Sequence, residues 1–259
     1  MNYSGLPSAI AALSTYGRVS SVKLKSVGST SMDSHEVFRD GEGESDEVLQ
    51  SLWSEAIEGM INVPGMDEDA YENNPDGGKS KVLYLCPSSG SNSNNDHGIR
   101  KDFVWPEPFR NGRRVFCLTG HNPMGQTVSK DLNQKANEEL LERIMKGDFV
   151  TDDEVNITAK YIYWHGFGFH MVEGWREDGF ALSFNENEVA VGRNAVLNLA
   201  RDFNQGAIYE FKVDEKSGKL FRSVVWCDEK KREIEGDDDF TEMVALLKAP
   251  DSDLARERE

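Results

Sequence analysis

Glu177 is the side chain in this sequence whose neighbours best suit proton-transfer chemistry. It stands in Trp175-Arg176-Glu177, just ahead of Gly179-Phe180. If this stretch is extended, Trp175 and Glu177 share one face. A carboxylate beside an indole is partly desolvated, and its pKa rises toward the range of a general acid or base. The alternative is a surface carboxylate paired to Arg176 or a lysine.

Three further segments carry polar side chains at ordered spacings. Thr119-Gly120-His121-Asn122-Pro123 follows an apolar run and leads into a helix beginning near Ser129. Asn122-Pro123 is a turn signal, since the residue before proline avoids the α region. Asn133 and Asn137 lie i and i+4 on that helix, at the edge of its apolar stripe, where one can bond back to the loop. Phe203-Asn204-Gln205-Gly206-Ala207 joins a second helix to a strand. Gln205 there either caps helix carbonyls or points toward Thr119.

The rest of the catalytic inventory is thin. His165 and His170 are five apart, on opposite faces of a strand, and no H-E-x-x-H spacing occurs, so no metal site is expected. Gly166-Phe167-Gly168 lacks the helix and lysine of a phosphate loop. No G-x-S-x-G elbow is present. Cys86, Cys117 and Cys227 form no C-x-x-C pair, and Cys117 and Cys227 sit in apolar runs as small hydrophobes. No cofactor is expected.

The chain has 259 residues, 38% of them hydrophobic, and a formal charge of −17 from 46 acids against 29 bases. A polyanion repels such a surface, so nucleic acid is not an expected partner. No apolar run reaches the roughly 18 residues of a membrane span. Residues 1–44 read as a disordered Ser-rich tail and acidic linker. The first acid is Asp33, so residues 1–32 also have transit-peptide composition, and location is read as cytoplasmic or, on that alternative, organellar.

Residues 45–248 are expected to form a single monomeric α+β domain. Val48, Leu49, Leu52, Trp53, Ala56, Ile57 and Met60 form an apolar stripe that predicts an accessory helix over 45–61. A strand follows at 82–86, and Phe103 to Phe109, broken by prolines, reads as an extended flap. Strands are expected at 114–119, 159–165, 179–185, 207–213 and 220–227. Helices are expected at 129–146, 188–203 and, terminally, 240–248. The first of these has Ser129 as N-cap, Gly147 as stop, and Leu132, Ala136, Leu140, Ile144 and Met145 inward. Residues 249–259 read as a charged tail. Strand, helix, strand, strand, helix, strand is the split βαβ order. It predicts a ferredoxin-like two-layer sandwich with an antiparallel sheet, both helices on one face, and Trp164, Phe167 and Phe169 covering the other.

Taken together, Val115 to Pro123, Ser129…Asn133, Trp175-x-Glu177-x-x-Phe180 and Leu199-Ala200-x-x-Phe203-x-Gln205-x-Ala207-Ile208 resemble the family called domain of unknown function 3293. The resemblance spans about 114–213 and departs at Gly120, His121, Asn204 and Gly206. It implies no activity. It does imply that Thr119, Asn122, Asn133, Glu177 and Gln205 form one site. Three functions follow as expectations. One is a module binding a small polar ligand or peptide through Thr119, Asn122, Asn133, Trp175 and Gln205. The second is an enzyme with Glu177 as catalytic acid/base. The third is an acidic domain that binds a protein partner.

Overall fold

A computed structural model describes residues 52–66, 81–88, 98–99, 103–122, 128–147, 149, 151–152, 157–158, 160–235 and 240–256. Eight strands dominate: β1 (Ile57–Ile61), β2 (Val82–Pro87), β3 (Arg114–Leu118), β6 (Tyr161–His170), β7 (Trp175–Phe184), β8 (Ala207–Val213), β9 (Leu220–Trp226) and β10 (Phe240–Ala245). β4 (Thr151–Asp152) and β5 (Ile157–Thr158) form a separate small hairpin. Helices α1 (Lys130–Lys146), α2 (Val189–Asp202) and α3 (Glu229–Glu235) accompany them.

The eight strands close into an antiparallel barrel in the order β1-β2-β10-β9-β8-β3-β7-β6. Closure is made by β1, which pairs with β2 along one edge and with β6 along the other. The expected ferredoxin-like sandwich is therefore incorrect. The strand–helix order that suggested it occupies one arc of the wall, β8-β3-β7-β6, with α1 and α2 outside it. Two segments expected as helices supply strands of the rest. Ile57–Ile61 is β1, and only residues 52–55 of the 45–61 stretch are described as helical. Phe240–Ala245 is β10 rather than a terminal helix. A short apolar segment fits both periods, and edges open for pairing decide for the strand.

Alternation along the strands sorts side chains in and out. Met60, Leu83, Leu85, Val115, Trp164, Ala181, Phe211, Leu220, Met243 and Ala245 pack together inside. Trp105 and Phe109 join them from the 103–109 segment, so this segment plugs one end rather than lying as a flap. Outside, Phe116, Leu118, Phe180, Leu182 and Phe184 pack beneath α1 and α2. Phe167 and Phe169 face out on another side and are covered with Tyr84 and Ala255. The buried Arg176 guanidinium donates to the carbonyls of Leu254 and Arg256 (2.7 and 2.6 Å), which fastens that C-terminal stretch. Residues up to 256 of the expected charged tail are thus docked, and the expected N-terminal tail lies outside the described residues.

α1 is capped as its sequence predicts: the Ser129 hydroxyl accepts from Leu132 N–H, and Gly147 is left-handed at φ 69°. Its buried face differs. Leu132 and Met145 are more than half exposed, and the inner stripe is Asn133, Asn137, Leu140 and Ile144. The helix is turned by about one position, because the barrel wall offers peptide groups there that amides can bond and leucines cannot.

Gly179 sets how closely β7 and β3 approach where β3 ends. A Cβ built on it would lie 2.3 Å from Leu118 O. Gly179→Ala is expected to lower unfolding free energy by about 2–3 kcal/mol in urea titration, since backbone on both strands must shift.

Candidate functional site

Among the described residues, Trp105 and Phe109 fill the barrel at one end and a cavity opens at the other. The open end holds a cavity with about 780 Å³ of empty space including its mouth, lined by Trp53, Glu58, Trp175, Glu177, Gln205 and Tyr209 among others. Space comes from inward-facing glycines. Gly166 and Gly168 of β6 stand where side chains would fill the bore. Gly166-Phe167-Gly168 is therefore a wall element, with its phenylalanine outward.

The Thr119–Asn122 loop crosses the rim and is held by four side chains. Thr119 Oγ1 donates to Asp178 O (2.7 Å) and accepts from His121 N–H (2.9 Å). Asn137 accepts from Gly120 N–H (2.8 Å) and donates to Asp178 O (2.7 Å). Asn133 accepts from Asn122 N–H (2.8 Å) and donates to Asn122 Oδ1 (2.9 Å). Gln205 Nε2 donates to His121 O (2.9 Å). Gly120 lets α1 come close, since a Cβ there would meet the Ala136 carbonyl carbon at 2.8 Å. Asn122 takes a left-handed φ of 44°, which asparagine tolerates better than most residues.

This network ends on Glu177. With both its faces fixed by Asn133, Asn122 Nδ2 donates to Glu177 Oε1 at 2.9 Å. Trp175 and Glu177 share the inner face of β7, as alternation predicts, and both line the cavity. Burial pushes the Glu177 carboxyl up to about 7; the Asn122 bond opposes this and Asp178 adds to it.

A second carboxylate faces the first. Glu58 on β1 pairs with Gly168 on β6, which pairs with Glu177 on β7, so the two acids flank a residue without a side chain. The Glu58 oxygens lie 3.3 and 3.5 Å from where a Gly168 Cβ would stand, over the strand between them. Glu58 is 4% exposed, and burial raises its pKa to about 8, with Arg222 lowering it and Glu177 raising it. The Arg222 guanidinium is also inside, 1% exposed. It donates to the carbonyls of Ala56, Trp53 and Ser54 (2.7, 3.0 and 2.6 Å), and more distantly to Glu58 Oε1 (3.4 Å). Tyr209 O–H donates to Trp53 O (3.0 Å), and burial raises its pKa. Cys117 lines the cavity too, with its thiol raised well above the ordinary range by burial and by Glu58.

Thr119, Asn122, Asn133, Glu177 and Gln205 are thus joined in one hydrogen-bonded set, which also includes Asn137. They divide by position. Thr119, Asn122, Trp175, Glu177 and Gln205 line the cavity, whereas Asn133 and Asn137 are buried behind the loop and orient it. Sequence reasoning missed Glu58, Arg222, Tyr209, Cys117 and Trp53. Glu58 lies in the 45–61 stretch expected as a helix; its signal is Glu58-x-Met60 taken with period two, an acid on the face of a buried methionine. His121 is buried, its ring nitrogens take no hydrogen bond from the described residues, and burial lowers its pKa to about 4. Among the described residues no three His, Cys, Asp or Glu side chains gather as metal ligands.

The family model described as "Protein of unknown function (DUF3293)" matches residues 118–208. That match confirms the resemblance read from the motifs. It runs from the end of β3 to the start of β8, so it holds Asn122, Asn133, Glu177 and Gln205 but neither Glu58 nor Arg222. No curated protein and no solved structure matches the chain.

Two outcomes test this geometry. Asn137→Ala strands the buried Gly120 N–H and should cost about 1–2 kcal/mol in chemical denaturation. The raised carboxyls also have a signature in pH. Between their ordinary value of 4.5 and the folded values of about 7 and 8, the folded protein holds protons that the unfolded chain has released. Their contribution is greatest below about pH 4.5 and is lost as pH rises through those values. Glu58→Gln and Glu177→Gln should therefore each gain stability relative to the parent between about pH 5 and 9, measured by urea titration at each pH.

Proposed function

We propose that this protein is a binding module for a small polar organic ligand, taken into the open end of the barrel. The observation that carries this reading is the fixed chain from Asn133 through Asn122 to Glu177 Oε1, ending inside an open cavity. A network that immobilises one carboxylate at a cavity wall preorganises it to receive a hydrogen-bond donor, and Trp175 beside it offers a flat apolar surface. A carboxyl poised at about 7 also favours a second reading, general acid–base catalysis by Glu177. Binding is preferred because the nucleophile in reach, the Cys117 thiol, is held protonated by burial. No helix among the described residues is long and apolar enough to cross a membrane. The free cysteines Cys86, Cys117 and Cys227 suit a reducing compartment such as the cytoplasm.

Thermal unfolding against a panel of metabolites and nucleotides is the direct test. A ligand at about 100 times its Kd should raise Tm by roughly 5–10 °C, and Glu177→Gln should remove most of that shift. A panel that leaves Tm unmoved, or a shift untouched by Glu177→Gln, rejects the reading. Turnover of a ligand that Glu177→Gln still binds but no longer converts decides for catalysis.

A further inference from the structure

Building on the reading of this cavity as a ligand site, we propose that its ligand is a small organic cation. The class is a protonated amine on a flat apolar group, with the ammonium held between Glu58 and Glu177.

With both carboxyls ionised, the charges of the described residues inside the barrel would not balance. Two carboxylates line the cavity, and the guanidinium beside them is Arg222. Its shortest bonds, 2.6–3.0 Å, go to three backbone carbonyls around residues 53–56, and Glu58 receives only a 3.4 Å contact. Those carbonyls surround the guanidinium and leave the acid pair under-compensated. One positive charge would balance the site.

The acids are also positioned to share that charge. They flank Gly168, and the Glu58 carboxylate lies directly over it. Oε1 of Glu177 is held by Asn122 and Oε1 of Glu58 by Arg222, while the second oxygen of each takes no hydrogen bond from the described residues. Glu58 is nearly fully buried but lines the cavity, so its second oxygen is an acceptor open to a donor on a ligand there. An ammonium brings three donors in one compact group and can bridge two carboxylates. Trp53 and Trp175 are in the lining, and an indole ring there would suit both a cation and the apolar part of a ligand. An anionic ligand would meet two like charges. A bare metal ion would find too few ligands, since no third carboxylate, His or thiol completes a cluster among the described residues. Burial raises both carboxyls toward neutral pH, and a bound cation would favour their ionised forms.

The experiment compares three probes of one shape on the full chain by ligand-observed proton NMR: benzylammonium, benzyl alcohol and benzoate. Benzylammonium should bind at least about tenfold tighter than benzyl alcohol, with benzoate weakest, in keeping with charge-assisted bonds. Glu58→Gln and Glu177→Gln should each weaken benzylammonium at least about fivefold, and by a clearly larger factor than they weaken benzyl alcohol. The two variants also separate the cavity from general attraction to an acidic surface. If one fails to fold in circular dichroism, the other carries the comparison. Equal binding of the three probes at the cavity overturns the cation preference and leaves the ligand-site reading standing. Benzylammonium binding that neither variant weakens, or binding of none of the three, overturns the cation proposal, and the metabolite panel then judges the site by itself.

Discussion

Closure of the sheet by β1 is the constraint from which the rest follows. Five residues, Ile57–Ile61, hydrogen bond to β2 on one side and to β6 on the other. Without them the ladder would end in two open edges, and an open sheet has faces rather than an inside. With them, every second residue of eight strands points into one bore. Apolar side chains fill one end of it, with Trp105 and Phe109 as the plug. Glycines at 166 and 168 leave room for the cavity at the other.

An enclosed bore changes the meaning of each charge in it. In water Glu58, Glu177 and Arg222 would be unremarkable surface groups. Inside, each must find partners or give up its charge. Arg222 finds backbone carbonyls of the 53–56 segment, which ties that segment across the barrel and closes part of the mouth. The carboxyls find one partner each and hold protons more strongly than usual. The low-dielectric wall makes the pair sensitive to any cation or donor that enters.

The site is composite along the chain. The segment matched by the family model supplies the rim loop, the amide clamp from α1 and Glu177. The strands outside that segment, β1 and β9, supply Glu58 and Arg222 and complete the wall facing it. Asn133 and Asn137 act at one remove: they fix the loop that fixes the carboxylate. That explains two asparagines on the buried face of a helix, where leucines would bury more apolar area but leave loop amides unpaired.

The sequence alone determined the local elements within 114–227, the capping of α1, and the gathering of polar residues at three loops. These are short-range matters, settled by periodicity, turn chemistry and cap geometry within a few residues. It also pointed to Trp175 and Glu177 on one face, because alternation in a strand needs no knowledge of neighbours. What Ile57–Ile61 and Phe240–Ala245 become was decided only by tertiary structure. Their apolar spacing suits a helix, but open strand edges recruit them into the ladder, and hydrogen-bond satisfaction across long sequence separations outweighs local propensity. The same holds for Glu58 and Arg222, 164 residues apart and meeting only because the barrel closes. The loop motifs were legible one by one; the cavity they border exists only once the eighth strand is in place.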